Sequence, residues 1–242
     1  MKNAIIKSKP ILLILSYIFA FCELLFAFLV HLGKKSLFKY FAFFSVLFAA
    51  LFAFVYFCDS IEYGLIQSGL IFTLIADVFL VLLTEGNKLL AMLFFSAVQI
   101  LYFLLLYKRD EKWRKLHLSL RASVILLALI LTAVVLKKSA DALSLISVFY
   151  FTNLLLNLAW AFVEFKISRF FAIGLLFFIM CDICVGLTVI SNSYFPLPES
   201  GLLNFLAHPP INLVWLFYIP SQTFITLSLA ELRLKNADKS KI

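Results

Sequence analysis

Apolar residues fill the chain in long runs, and short polar stretches interrupt them at regular intervals. Eight runs are long enough to cross a bilayer as helices: residues 11–30, 37–57, 64–83, 88–107, 119–136, 143–163, 169–191 and 211–230. A helical span needs about 20 mainly apolar residues. The pattern therefore predicts an all-α fold, a polytopic membrane bundle of eight transmembrane helices forming one integral domain over 1–242. Two connections are expected to be long. Residues 108–118 are densely charged, whereas 192–210 hold no Lys or Arg. Pro196, Pro198, Pro209 and Pro210 are expected to keep the second connection from becoming helical. Lys2, Lys7 and Lys9 before the first run imitate a secretory leader. That run is too long for a leader and lacks a small-x-small cleavage site, so it reads as the first span.

Composition agrees with this class and closes off others. Of 242 residues, 64% are apolar and 14% charged, against about 45–50% and about 25% in soluble domains. The chain has too little polar surface to coat a soluble enzyme, a nucleic-acid binder or a disordered segment. The net charge of +8 reads as topology, because basic residues collect in cytoplasmic loops. Placing the N-terminus inside puts fifteen of the 21 Lys and Arg on the cytoplasmic side. Lys34, Lys35, Lys39, Lys88, Lys137 and Lys138 fall outside. Both termini are thus expected in the cytoplasm, with 236–242 as a tail. Cys22, Cys58, Cys181 and Cys184 lie in or beside apolar runs. Cys181 and Cys184 form a C-x-x-C, but no second Cys or His pair completes a zinc site, so buried free thiols are expected.

Spans three and seven share a pattern. Gly69-Leu-Ile-Phe-Thr-Leu-Ile-Ala-Asp77 matches Gly174-Leu-Leu-Phe-Phe-Ile-Met-Cys-Asp182, 105 residues later. The copies are four spans apart, an even number, so orientation is preserved, and residues 1–110 and 111–235 would be parallel repeats. An acid at the centre of a span costs about 2.5–3.5 kcal/mol on insertion scales and marks a functional position. Gly69, Thr73 and Ala76 share a helical face with Asp77; Gly174, Phe178 and Cys181 share one with Asp182. Small residues at these spacings allow close helix approach, so both faces are expected to point into the bundle.

Other polar residues lie at comparable depth: Glu23, Gln99, Asn153, Asn157 and Gln222. Asn153 and Asn157 are four apart on a stripe with Tyr150 and Trp160, and Tyr218 and Gln222 stack the same way. Each amide alone reads as interhelical glue; together they outline a polar pocket. Lys39, at the start of span two, is placed to meet a phosphate at the rim or simply to snorkel.

Two carboxyl groups in one low-dielectric site hold a single proton between them, which yields one acid and one carboxylate. That pair suits bonds whose cleavage passes through an oxocarbenium-like cation. His31, His117 and His208 all fall at span ends or in loops. The sequence therefore offers neither a Ser-His-Asp arrangement nor an in-span histidine set for an intramembrane zinc hydrolase, and no metal or cofactor is expected.

On these residues the chain resembles the YhhN family of membrane lysoplasmalogenases. The family carries F-S-x-x-G-D, H-x-x-Y, S-D and Y-x-x-A-Q motifs in that order, with K-P near helix two. The counterparts are Phe72 to Asp77, Gln99 to Tyr102, Phe178 to Asp182, Tyr218 to Gln222, and Lys39-Tyr40. Ala76 replaces the motif Gly, Cys181 the Ser, Gln99 the His and Tyr40 the Pro, so the chain reads as a divergent member. The resemblance implies hydrolysis of the vinyl ether bond of lysoplasmalogens to a fatty aldehyde and a glycerophospho-head group. Asp77 and Asp182 would then be catalytic. Gln222, Tyr218, Gln99, Tyr102, Asn153, Asn157 and Lys39 would bind a lysophospholipid substrate. Two alternatives remain from the residues: a small proton-coupled transporter, which suits midplane acids in parallel repeats, and a lipid-binding protein without turnover.

Overall fold

The computed structural model describes residues 9–32, 38–56, 60–83, 87–109, 114–165, 168–193, 201–209 and 211–239. Lys2, Lys7, Lys34, Lys35, Cys58, Lys112, Lys166, Pro196, Pro198, Pro210 and Lys241 lie outside them. Among the described residues all regular structure is helical: α1 Lys9–Leu32, α2 Phe38–Ala53, α3 Ile61–Asp77, α4 Lys88–Arg109, α5 Arg114–Leu136, α6 Ala142–Val163, α7 Arg169–Ser193, α8 Leu202–Ala207 and α9 Leu213–Lys239. Seven of these helices are long and apolar enough to cross a membrane, and α2 is a shorter apolar helix. Its 16 residues rise about 24 Å, and a 3-10 turn over Phe54–Tyr56 extends it. The protein is an integral membrane helical bundle. Helices are forced on these segments because hydrocarbon leaves every backbone N–H and C=O to be paired within the chain.

Helix ends follow local chemistry. The Asp141 carboxylate accepts from the Ser144 backbone N–H at 2.7 Å and starts α6. Asn87 caps α4 through the Leu90 N–H at 3.0 Å. A side chain from another helix serves α7, whose Phe170 N–H donates to Glu231 of α9 at 3.1 Å. Such acceptors satisfy the orphan donors of a first turn.

Two loop expectations are corrected. The charged connection at 108–118 is mostly helix: α4 runs through Lys108 and Arg109, and α5 begins at Arg114. Arg and Lys are good helix formers, so charge alone did not end these helices. The connection at 192–210 contains α8, because none of its prolines falls within Leu202–Ala207. Gly201 precedes α8 with φ of 101°, a left-handed value that suits glycine.

The last helix organises the core. α9 packs along α7 and also takes α1, α2 and α3 against its sides. Neighbours recur between the halves: α3 lies on α4 as α7 lies on α9, α1 on α2 as α5 on α6, α2 on α3 as α6 on α7, and α2 on α9 as α6 on α4. The two repeat glycines occupy equivalent contacts. A Cβ on Gly69 would stand 2.5 Å from the Tyr102 ring of α4, and one on Gly174 would stand 2.7 Å from Ile225 of α9. α5 is unlike the rest. It turns Leu126, Leu127, Ile130, Leu131, Val134 and Val135 outward, and its buried residues are His117 and Arg121.

Candidate active site

Asp77 ends the α-helical part of α3, and the next five residues, Val78–Leu82, continue as a π-helical turn. Such turns re-aim side chains and are frequent at functional sites. Gly69, Thr73, Ala76 and Asp77 are all buried, so this face points into the bundle. The Asp77 carboxyl is 2% exposed. The Tyr218 hydroxyl of α9 donates to its two oxygens, at 3.0 Å to Oδ1 and 2.8 Å to Oδ2. Two residues on, Pro220 sits inside α9. Lacking an N–H, it cannot bond the Leu216 carbonyl one turn back, which loosens the helix between Tyr218 and Gln222.

Asp182 has a matching partner on a different helix. The Tyr150 hydroxyl of α6 donates to its Oδ2 at 2.5 Å. Phe178, one turn before Asp182, joins the two arrangements. Its ring lies 6.5 Å from the Tyr150 ring and 5.6 Å from the Tyr218 ring, both edge-on. Two carboxyl groups are thus each held by one tyrosine, and both tyrosine rings pack on Phe178 of α7. Cys181 and Cys184 are buried free thiols. Among the described residues no three metal-ligating side chains converge.

Asp77, Asp182 and Tyr218 come together here, and Gln222 lies one turn from Tyr218. The Gln222 side chain is fully buried; its Nε2 reaches Ser221 Oγ at 3.4 Å, and its Oε1 has no partner among the described residues. Tyr102 is buried edge-on against Phe171, with its hydroxyl unpartnered among the described residues. Lys39 stands in the first turn of α2 with its ammonium 5.2 Å from the Tyr40 ring centroid.

Gln99, Asn153 and Asn157 do not gather at the aspartates. They form a second polar cluster around Arg121, one of the fifteen basic residues that the charge bias assigned to the cytoplasmic side. Arg121 Nη1 donates to Asn153 Oδ1 and Nη2 to Asn157 Oδ1, each at 2.6 Å. Asn157 Nδ2 donates to the Gln99 side-chain oxygen at 3.0 Å and to its backbone oxygen at 2.9 Å. The guanidinium also lies 4.2 Å over the Phe103 ring. His117, expected at a span end or loop, is buried in α5 and stacks on Trp160 at 3.8 Å.

Sequence reasoning thus missed two residues, Tyr150 and Arg121. The signal for Tyr150 was its place on the Asn153 and Asn157 stripe. For Arg121 it was spacing, since Arg114, His117 and Arg121 recur at i, i+3 and i+7 on one face of α5.

A model of the YhhN family matches residues 34–229, most of the chain. No curated protein and no solved structure matches the chain.

Proposed function

We propose that this protein, which belongs to the YhhN family, is a membrane hydrolase that cleaves the vinyl ether bond of lysoplasmalogens using Asp77 and Asp182. The observation that carries this reading is the pair of intramembrane carboxyl groups, Asp77 buried and Asp182 half-buried, each oriented by its own tyrosine, with both tyrosine rings against Phe178. A vinyl ether is cleaved by proton transfer to the alkenyl carbon remote from oxygen, which leaves an oxocarbenium ion. One aspartate donates that proton. The other, as carboxylate, stabilises the cation and takes a proton from the water that attacks it. The resulting hemiacetal collapses to a fatty aldehyde and the free glycerol hydroxyl, and the protons taken and given balance over the cycle.

Tyr218 and Tyr150 fix the carboxyl groups so that little reorganisation accompanies charge development. Gln222, beside Tyr218 with an unsatisfied buried oxygen, is placed to hold the attacking water. The recurrence of helix neighbours and of the Gly69 and Gly174 contacts supports the further proposal that 1–110 and 111–235 are parallel repeats. On that proposal each half contributes one acid.

The test is aldehyde release from lysoplasmenyl-ethanolamine or lysoplasmenyl-choline by the purified protein, with Asp77→Asn and Asp182→Asn beside it. Each substitution is expected to lower turnover by about a hundredfold or more, the range of general acid–base catalysis. Full activity in either variant overturns the two-carboxylate mechanism. Uptake of the lipid into vesicles without chemical change would replace it with the transporter reading.

A further inference from the structure

The cluster around Arg121 is rich in donors and poor in negative charge. The side chain is 4% exposed inside a membrane bundle, and no carboxylate pairs with it among the described residues. Its Nη atoms rest on neutral amide oxygens, and its Nε–H finds no acceptor among the described residues. Gln99, fully buried beside Asn157, likewise holds an Nε2 without an acceptor among them. A cation in hydrocarbon is costly and is normally compensated by an anion. Here helix α5, whose buried residues are His117 and Arg121, turns polar groups inward and leucines outward. The inward row starts at Arg114, at the end of the bundle that also carries Lys108 and Arg109, and leads to Arg121.

We propose that Arg121 and Gln99 form the subsite for the phosphate of a lysophospholipid, held by the guanidinium Nε–H and the Gln99 amide while Asn153 and Asn157 fix the guanidinium plane. Resting on the hydrolase reading, this subsite deepens it by saying which substrate group is recognised and where. Depths agree. Measured along the helices from one end of the bundle, Arg121 lies seven residues into α5, Asp182 thirteen into α7 and Asp77 sixteen into α3, or about 10, 20 and 24 Å at 1.5 Å per residue. In a lysoplasmalogen five bonds separate the vinyl ether oxygen from phosphorus, a span of roughly 6 Å at ordinary bond lengths. One hydrogen-bond length at either end brings it to about 12 Å, within the 10–14 Å between the two levels. A planar fork held by two amides also suits a phosphate better than an ammonium does.

The test uses binding, so it does not depend on turnover. The full chain in detergent or nanodiscs is titrated with a saturated 1-O-alkyl lysophospholipid, which has no vinyl ether to cleave, and with the matching 1-O-alkylglycerol, which lacks phosphate. The wild type is expected to prefer the phosphate-bearing ligand by about tenfold or more, as charge-assisted hydrogen bonds allow. Asn153→Asp places a carboxylate against Arg121 with almost no change of shape. It is expected to abolish that preference; because Asn153 Nδ2 also donates to the Phe149 carbonyl, melting in the same detergent checks the fold and alkylglycerol binding serves as the reference. Arg121→Lys, which keeps charge but loses the fork, is expected to reduce the preference severalfold. An undiminished preference in both variants overturns the subsite, whatever the activity. Competition with inorganic phosphate separates the sources: displacement of the lysolipid at millimolar phosphate means that the anion alone is recognised, and no displacement means that the site needs the tethered lipid headgroup. Phosphate preference without aldehyde release leaves the subsite standing and removes the hydrolase reading; aldehyde release with unchanged preference in the variants does the reverse.

Discussion

Replacing Tyr218 by Phe removes one hydroxyl and leaves the ring. The ring keeps its contacts, 5.6 Å from Phe178 and 5.5 Å from Trp215, so packing changes little. What is lost is the donor to both oxygens of Asp77, the one partner of that carboxyl among the described residues. A hydrogen bond to a charged group contributes about 1.5–3 kcal/mol. At 1.36 kcal/mol per factor of ten, its loss from the transition state lowers kcat by roughly 10- to 150-fold. KM should move less than kcat, because the hydroxyl donates to the Asp77 carboxyl. Steady-state aldehyde release reads both constants, and melting in the same detergent checks the fold. Tyr150→Phe is expected to act alike through Asp182. The double variant is expected to fall short of the product of the single effects, because groups that act as a unit are non-additive. Wild-type kcat in Tyr218→Phe, with melting unchanged, would refute the claim that this hydroxyl prepares Asp77 for chemistry.

Other expectations concern stability. Gly174→Ala is expected to destabilise by roughly 1–3 kcal/mol through overpacking, since the new Cβ meets the Ile225 backbone N at 3.0 Å and the Ser221 carbonyl O at 3.1 Å, atoms that cannot step aside. The nearest atoms to a Cβ at Gly69 all belong to the Tyr102 side chain, so Tyr102→Leu is expected to rescue Gly69→Ala and not Gly174→Ala; thermal melts of both glycine variants with and without Tyr102→Leu decide. The Asp141 carboxyl at the start of α6 is held below the usual carboxylate range by its hydrogen bonds to Ser144. Its stabilisation is therefore present at neutral pH and fades as acid protonates it. The melting difference between wild type and Asp141→Asn is expected to shrink from pH 6 to pH 3; a constant difference would discard the cap.

The bundle was legible because apolar runs of about 20 residues leave the chain no alternative to helices in hydrocarbon. Asp77 and Asp182 were legible for a related reason: an acid within such a run stands out against everything around it. Their tyrosines were half legible. Tyr218 sits one turn from Gln222 on the same helix, whereas Tyr150 reaches Asp182 from a neighbouring helix, and a neighbour is a tertiary fact. Arg121 misled for an electrostatic reason. A basic residue eight positions into a helix has a stem long enough to snorkel, so sequence alone reads it as an edge charge. Only the inward turn of α5, with leucines facing lipid, shows otherwise. Asn153 and Asn157 were recognisable as an i, i+4 pair, but a pair of amides does not announce whether it waits for a ligand or for a guanidinium.

The bond between Asp77 and Tyr218 spans 141 residues of sequence, and this has a consequence for how the protein is made. Chains grow at about 5–20 residues per second, so Asp77 is synthesised roughly 7–28 s before Tyr218. Throughout that interval the acid has no partner, and α1, α2, α3 and α7 lack the helix they assemble on. Assembly of the bundle thus waits for α9. A chain that stops before α9 leaves the membrane holding an Asp77 carboxyl group without its tyrosine and four helices without the partner they pack on.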